Sequence, residues 1–209
     1  MMSVRLPFVV FLSGLLLSGC ASLSKDECLN ADWRTIGYGD ASEGYERTRI
    51  NDHRQSCAQY NVRPDLDAYT RGYEDGLRVY CTAPKGYQQG VRGYTYRGIC
   101  PRDLEGPFLD AYSFGREIYQ TRNSIKNARG RRGRAVERLA AIEEEIAHTE
   151  AALIKGHMPP PKRALLLEDL KRLSEDKQAT EREIYDLEQA IQDLRHRLAE
   201  MMANNPWER

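Results

Sequence analysis

Residues 164–201 read ALLLEDLKRLSEDKQATEREIYDLEQAIQDLRHRLAEM, and their spacing decides the fold. Leu166, Leu170, Leu173, Lys177, Thr180, Ile184, Leu187, Ile191, Leu194, Leu198 and Met201 recur at strict four-three intervals. That rhythm keeps one stripe of an α-helix facing a partner helix. The partner is expected within the same chain. Upstream, Leu139, Ile142, Ile146, Thr149 and Leu153 keep the same rhythm. Between them stands Lys155-Gly156-His157-Met158-Pro159-Pro160-Pro161, which ends a helix because proline has no amide donor and clashes with the preceding turn. Two arms around a turn at 155–163 predict an antiparallel helical hairpin, a coiled coil, over residues 108–205.

The first arm is expected to be interrupted at Arg129-Gly130-Arg131-Arg132-Gly133-Arg134, since glycine is about 1 kcal/mol worse than alanine inside a helix. Charge favours the hairpin. With the turn near Met158, the arginines at 129–134 fall opposite Glu181, Glu183, Asp186 and Glu188. Exposed ion pairs contribute only ~0.2–1 kcal/mol each, so these charges set register more than they hold the arms together. A rival role for the arginines is attraction of anionic phospholipid headgroups. Arg163, Leu167 and Ser174 also match the Arg-x3-Leu-x6-Ser spacing of tripartite-efflux adaptor hairpins. Three residues in an Arg- and Leu-rich helix arise readily by chance, and the lipoyl and β-barrel domains of those adaptors are missing.

Lys plus Arg and Asp plus Glu stand at 31 each among 209 residues. The balance gives no electrostatic footprint for nucleic acid. The distribution is uneven: residues 101–134 are basic and 135–209 acidic, every tyrosine but Tyr185 lies between Tyr38 and Tyr119, and no cysteine follows Cys100. A compact tyrosine-rich head over 20–107 is expected to precede the hairpin.

In that head, Asp40 with Glu43 offers a capping-box-like start for a helix carrying Ile50, His53, Cys57 and Tyr60 at helical spacing. Pro64 and Asp65 start the next helix, with Leu66, Tyr69, Tyr73, Leu77 and Tyr80 as its apolar face. Gly72 and Gly76 inside it imply that another backbone comes close, and Gly86, Gly90 and Gly93 repeat the device. Asp67-Ala68-Tyr69-Thr70-Arg71-Gly72 is echoed by Asp110-Ala111-Tyr112-Ser113-Phe114-Gly115. The echo suggests two helices packing a similar Tyr and Gly surface on a common centre. Tyrosines at such density normally pack with hydroxyls turned to polar partners. The alternative is a sugar-stacking surface, with Tyr87, Tyr94 and Tyr96 as its residues.

The chain's start fixes its compartment. Arg5, an apolar run from Pro7 and Leu17-Ser18-Gly19-Cys20 make residues 1–19 a lipoprotein export signal, with Cys20 as the lipidated residue. Two or more acyl chains, at ~0.8 kcal/mol per buried methylene, hold a protein stably to a membrane. An uncleaved span is the alternative, though the run is near the lower limit for crossing a bilayer. Cys28, Cys57, Cys81 and Cys100 remain, an even set for an oxidising compartment. Three pairings exist; Cys28–Cys57 with Cys81–Cys100 is expected because each closes a local loop. No Cys-x2-Cys spacing supports a metal site.

Cys28, Asp32-Trp33, Gly37, Gly39, His53, Cys57, Pro64-Asp65, Tyr69, Gly72, Gly76-Leu77, Tyr80-Cys81, Gly86, Gly90, Gly93, Tyr94 and Cys100 together resemble an uncharacterised family of bacterial envelope lipoproteins, catalogued as domain of unknown function 2799. The resemblance covers residues 20–120 and implies a small periplasmic lipoprotein domain with no activity to transfer. Ala21 after the lipid cysteine, in place of a retention aspartate, resembles enteric outer-membrane lipoproteins and implies the periplasmic face of the outer membrane.

No phosphate loop, serine elbow or His-Glu-x2-His is present, and no cofactor is implied. His53 and Cys57 share a helix face, but a nucleophile needs a free thiol, and the compartment favours a disulfide. The expected architecture is all-α: a small disulfide-braced helical head plus a long antiparallel hairpin. The expected role is non-enzymatic, a scaffold or adaptor tethered to membrane and touching an envelope protein or peptidoglycan. A glycan-binding head and a small hydrolase at His53 are the alternatives.

Overall fold

The computed structural model describes residues 23–155 and 157–207. Residues 1–19, expected as an export signal, the expected lipid site Cys20, and Gly156 of the turn lie outside the described residues. Among those described the chain is all helical: α1 Lys25–Leu29, α2 Trp33–Glu43, a 3-10 turn Arg47–Arg49, α3 Ile50–Ala58, α4 Leu66–Tyr80, α5 Ala83–Arg92, α6 Arg102–Ile154 and α7 Pro160–Ala203. No helix among them is long and apolar enough to cross a membrane.

Two compact units divide between Tyr80 and Cys81, so the segment 20–107 expected as one head is shared between them. In the first, α2 packs along α4. The contact is glycine-mediated: a Cβ on Gly37 would collide with the Tyr69 carbonyl, and one on Gly72 with the Arg34 carbonyl. Gly76 takes the same role against Tyr38 and Ala41. Asp32, not Asp40, starts α2, its side chain accepting from the Arg34 and Thr35 amides. The helix carrying Ile50, His53 and Cys57 is α3, which starts at Ile50 and ends before Tyr60, whereas Asp40 lies buried inside α2; the expected start at Asp40 is therefore corrected. Asp65 caps α4 as expected, accepting from the Asp67 and Ala68 amides. Leu66 stays outside the core at 53% exposure, against the expected face, since it begins the helix one turn before its packed stripe. The Cys28–Cys57 disulfide ties α1 to α3.

The second unit repeats that arrangement. Gly90 sits against the Tyr112 carbonyl and Gly115 against the Tyr87 carbonyl, as Gly37 and Gly72 sit against Tyr69 and Arg34. Cys81–Cys100 occupies the place of Cys28–Cys57. Pro107, Leu109, Asp110, Ala111, Tyr112 and Gly115 stand where Pro64, Leu66, Asp67, Ala68, Tyr69 and Gly72 stand. The bonded cysteines are 29 residues apart in the first copy and 19 in the second, where a loop replaces α3. The hexapeptide echo thus marks a duplicated helix pair, α2 with α4 and α5 with α6. Within each copy the helix packs on its own partner, α4 on α2 and α6 on α5.

From this base α6 continues through the arginine stretch without a break, against the expected interruption. Ile125 and Ala135 on either side of it are buried, and that packing outweighs the propensity loss of two glycines. α7 starts at Pro160, with Pro159 as N-cap, so the prolines open the helix where their missing amides are harmless. α6 and α7 run antiparallel, joined by Glu117–Arg197, Arg131–Glu183, Arg132–Glu188, Arg138–Glu183 and Glu143–Lys177 ion pairs. Every heptad position named in both arms is buried or half-buried. At the base, Tyr87, Ala111 and Ile118 form a core closed by Leu198, Met201, Met202 and Trp207.

Candidate functional site

The densest polar cluster of the first unit surrounds Asp40. Arg49 Nε donates to Asp40 Oδ1 at 3.1 Å, while Oδ2 accepts from the Tyr69 hydroxyl at 2.7 Å and lies 2.7 Å from His53 Nε2. A carboxylate only accepts, so it selects the His53 tautomer protonated at Nε2. The Arg49 guanidinium lies 3.8 Å from the Tyr45 ring centre, and the Tyr73 hydroxyl donates to the Tyr45 carbonyl at 2.6 Å. Burial and then the hydrogen bond to Asp40 push the Tyr69 phenol far above its ordinary pKa. Burial chiefly pushes Tyr73 up to about 12. Four elements, α2, the 3-10 turn, α3 and α4, meet on this one carboxylate.

Such a cluster has the composition of a catalytic relay but not its access. His53 is 2% exposed, and Cys57, the thiol expected beside it, is bonded to Cys28. Burial of an ionised group requires this density of partners, and the cluster meets that need. A concavity of about 500 Å³ lies elsewhere in the unit and is lined by Arg54, Ala58, Asn61, Val62, Arg63, Pro64 and Leu66. Among the described residues no group of His, Cys, Asp or Glu could hold a metal ion. Asp40 was missed as a hub because its partners come from three other elements, and no local spacing announces that.

Of the three tyrosines considered for sugar stacking, the structure places two in packing roles. Tyr87 belongs to the base core, stacks on Phe114 and receives a hydrogen bond from Asn205 Nδ2 at 2.8 Å. Tyr96 lies 4.9 Å from the Phe108 ring, donates to Glu105 and accepts from the Cys100 amide. Tyr94 is the one of the three with an exposed ring, at 56%.

The hairpin presents different chemistry. Its seam is closed, yet Ile154 is 83% and Leu165 63% exposed at the turn end, with Leu167 also exposed. Lys155, His157, Lys162 and Arg163 flank them, all exposed. An apolar centre with a polar rim is the anatomy of a protein contact surface. Periodicity could not have shown it, because these residues lie just outside the heptad stripe.

Residues 32–117 match the model of a family described as "Protein of unknown function (DUF2799)". Neither a curated protein nor a solved structure matches the chain.

Proposed function

We propose that the chain, whose residues 32–117 match the model of a family of unknown function, is a non-enzymatic envelope lipoprotein acting as scaffold or adaptor. Cys20 carries the lipid, and the periplasmic face of the outer membrane is its site. Each helix pair is braced by its own disulfide, and the α6–α7 hairpin carries the working surface.

One observation supports this most: three large apolar side chains, Ile154, Leu165 and Leu167, are uncovered at the turn end, while the long shaft exposes Val136 and Tyr185 and its seam is closed. A self-paired hairpin with no partner has no reason to gather them there. The occupant is an envelope protein whose apolar patch covers them. Photo-crosslinking from position 165 in cells should trap a discrete protein adduct, and position 185, exposed on the shaft, should not. Equal trapping from both, or none from 165, contradicts the contact. Metabolic labelling with palmitate, abolished by Cys20→Ala, tests the anchor separately.

A further inference from the structure

We propose that a concavity on the hairpin shaft, lined by Arg129, Arg132 and Arg195 with Gln189 and Gln192, binds a phosphomonoester group. The concavity has a volume of about 480 Å³, and Glu188 and Ile191 complete its wall. Three arginines and one carboxylate, contributed by two helices, line it. Glu188 is partly engaged by Arg132 at 3.5 Å, while Arg129 and Arg195 make no ion pair among the described residues. The excess of two positive charges matches a phosphate dianion better than a singly charged carboxylate. Planar guanidinium forks suit phosphate oxygens, and the two glutamine amides add neutral donors.

Intramolecular needs do not account for the arrangement. Register is already set by Arg138–Glu183, Glu143–Lys177 and Glu117–Arg197, none of which uses Arg129 or Arg195. The neighbouring glycines point the same way. Within the helix pairs, Gly37, Gly72, Gly90 and Gly115 are there because another backbone lies against them; a Cβ on Gly133 would meet nothing within 4 Å, and one on Gly130 only the Arg134 guanidinium. No close backbone approach therefore accounts for the two glycines beside the arginines. The proposal is independent of the turn-end contact, since it uses a different part of the shaft.

The phosphate could be carried by a soluble sugar phosphate or by a lipid. Calorimetric titration of the full chain in non-ionic detergent with N-acetylglucosamine 1-phosphate reads the first source. Flotation with phosphatidylcholine vesicles containing or lacking phosphatidic acid reads the second, using chain made without its acyl groups. Saturable binding to either should weaken at least fivefold in Arg129→Gln and in Arg195→Gln, tighten in Glu188→Gln, and stay unchanged in Arg71→Gln, an exposed arginine outside both surfaces. Salt should weaken it steeply. No binding to either probe, binding indifferent to Arg129→Gln and Arg195→Gln, or preference for polyglutamate over both probes overturns the proposal. Circular dichroism of each variant confirms that the hairpin is intact, because neither arginine has an ion pair to lose.

Discussion

At the scale of single residues, glycine carries two opposite meanings in this chain, and substitution separates them. Gly72→Ala would drive a methyl into the Arg34 carbonyl, forcing α2 and α4 apart, and should cost about 3 kcal/mol or more in denaturant unfolding. Gly133→Ala meets open space and should stabilise the hairpin by about 0.5–1 kcal/mol. Equal effects would mean that close backbone approach is not what holds α2 on α4. The buried tyrosines give a second residue-level test. Tyr69 and Tyr73 are raised above the ordinary phenol value, mainly by burial. The folded state therefore holds protons that the unfolded chain releases near pH 10, and stability is full below that value. It should fall as pH rises from 10 towards 12, and Tyr73→Phe should flatten that decline. A decline as steep in the variant would show that other groups cause it. The spacing of Gly72, Gly76, Gly86 and Gly90 made close packing legible in advance. The role of Asp40 was not, since a buried carboxylate between Arg49, His53 and Tyr69 leaves no periodic trace.

Among the elements, α7 was the most legible because every seam residue from Leu166 to Met201 obeys one period. α6 was harder: Gly130 and Gly133 argued locally for a break that the burial of Ile125 and Ala135 on either side overrides. The division between Tyr80 and Cys81 was hidden because the two copies differ in length between their cysteines. Only when Gly90 and Gly115 are seen to copy Gly37 and Gly72 does the hexapeptide echo extend to Pro64 with Pro107 and to both disulfides. Within the seam, Lys177 stands between Leu173 and Thr180 and donates to Glu143 at 2.7 Å. That hydrogen bond holds the ammonium above its usual pKa. A charged residue at a seam position fixes register and partner number at some expense of stability. Lys177→Leu should raise the unfolding free energy while producing dimers or larger species in light scattering. A more stable but strictly unchanged oligomeric state would show that Lys177 has no such selecting role.

For the whole molecule, the account depends on the arms of α6 and α7 pairing within one chain, because only then does α7, about 66 Å long at 1.5 Å per residue, present a turn end to a partner. The turn Ile154 to Pro160 and the ion pairs from Glu117–Arg197 to Glu143–Lys177 are consistent with one antiparallel register throughout. The same heptads could in principle pair between chains. Spin labels at positions 144 and 175, both exposed, decide it by pulsed electron–electron distance measurement. Self-pairing predicts one short distance, governed by the ~8–10 Å separation of packed helix axes plus the labels, unchanged when labelled chain is diluted in unlabelled chain. A long distance, or a short one that disappears on dilution, would contradict it.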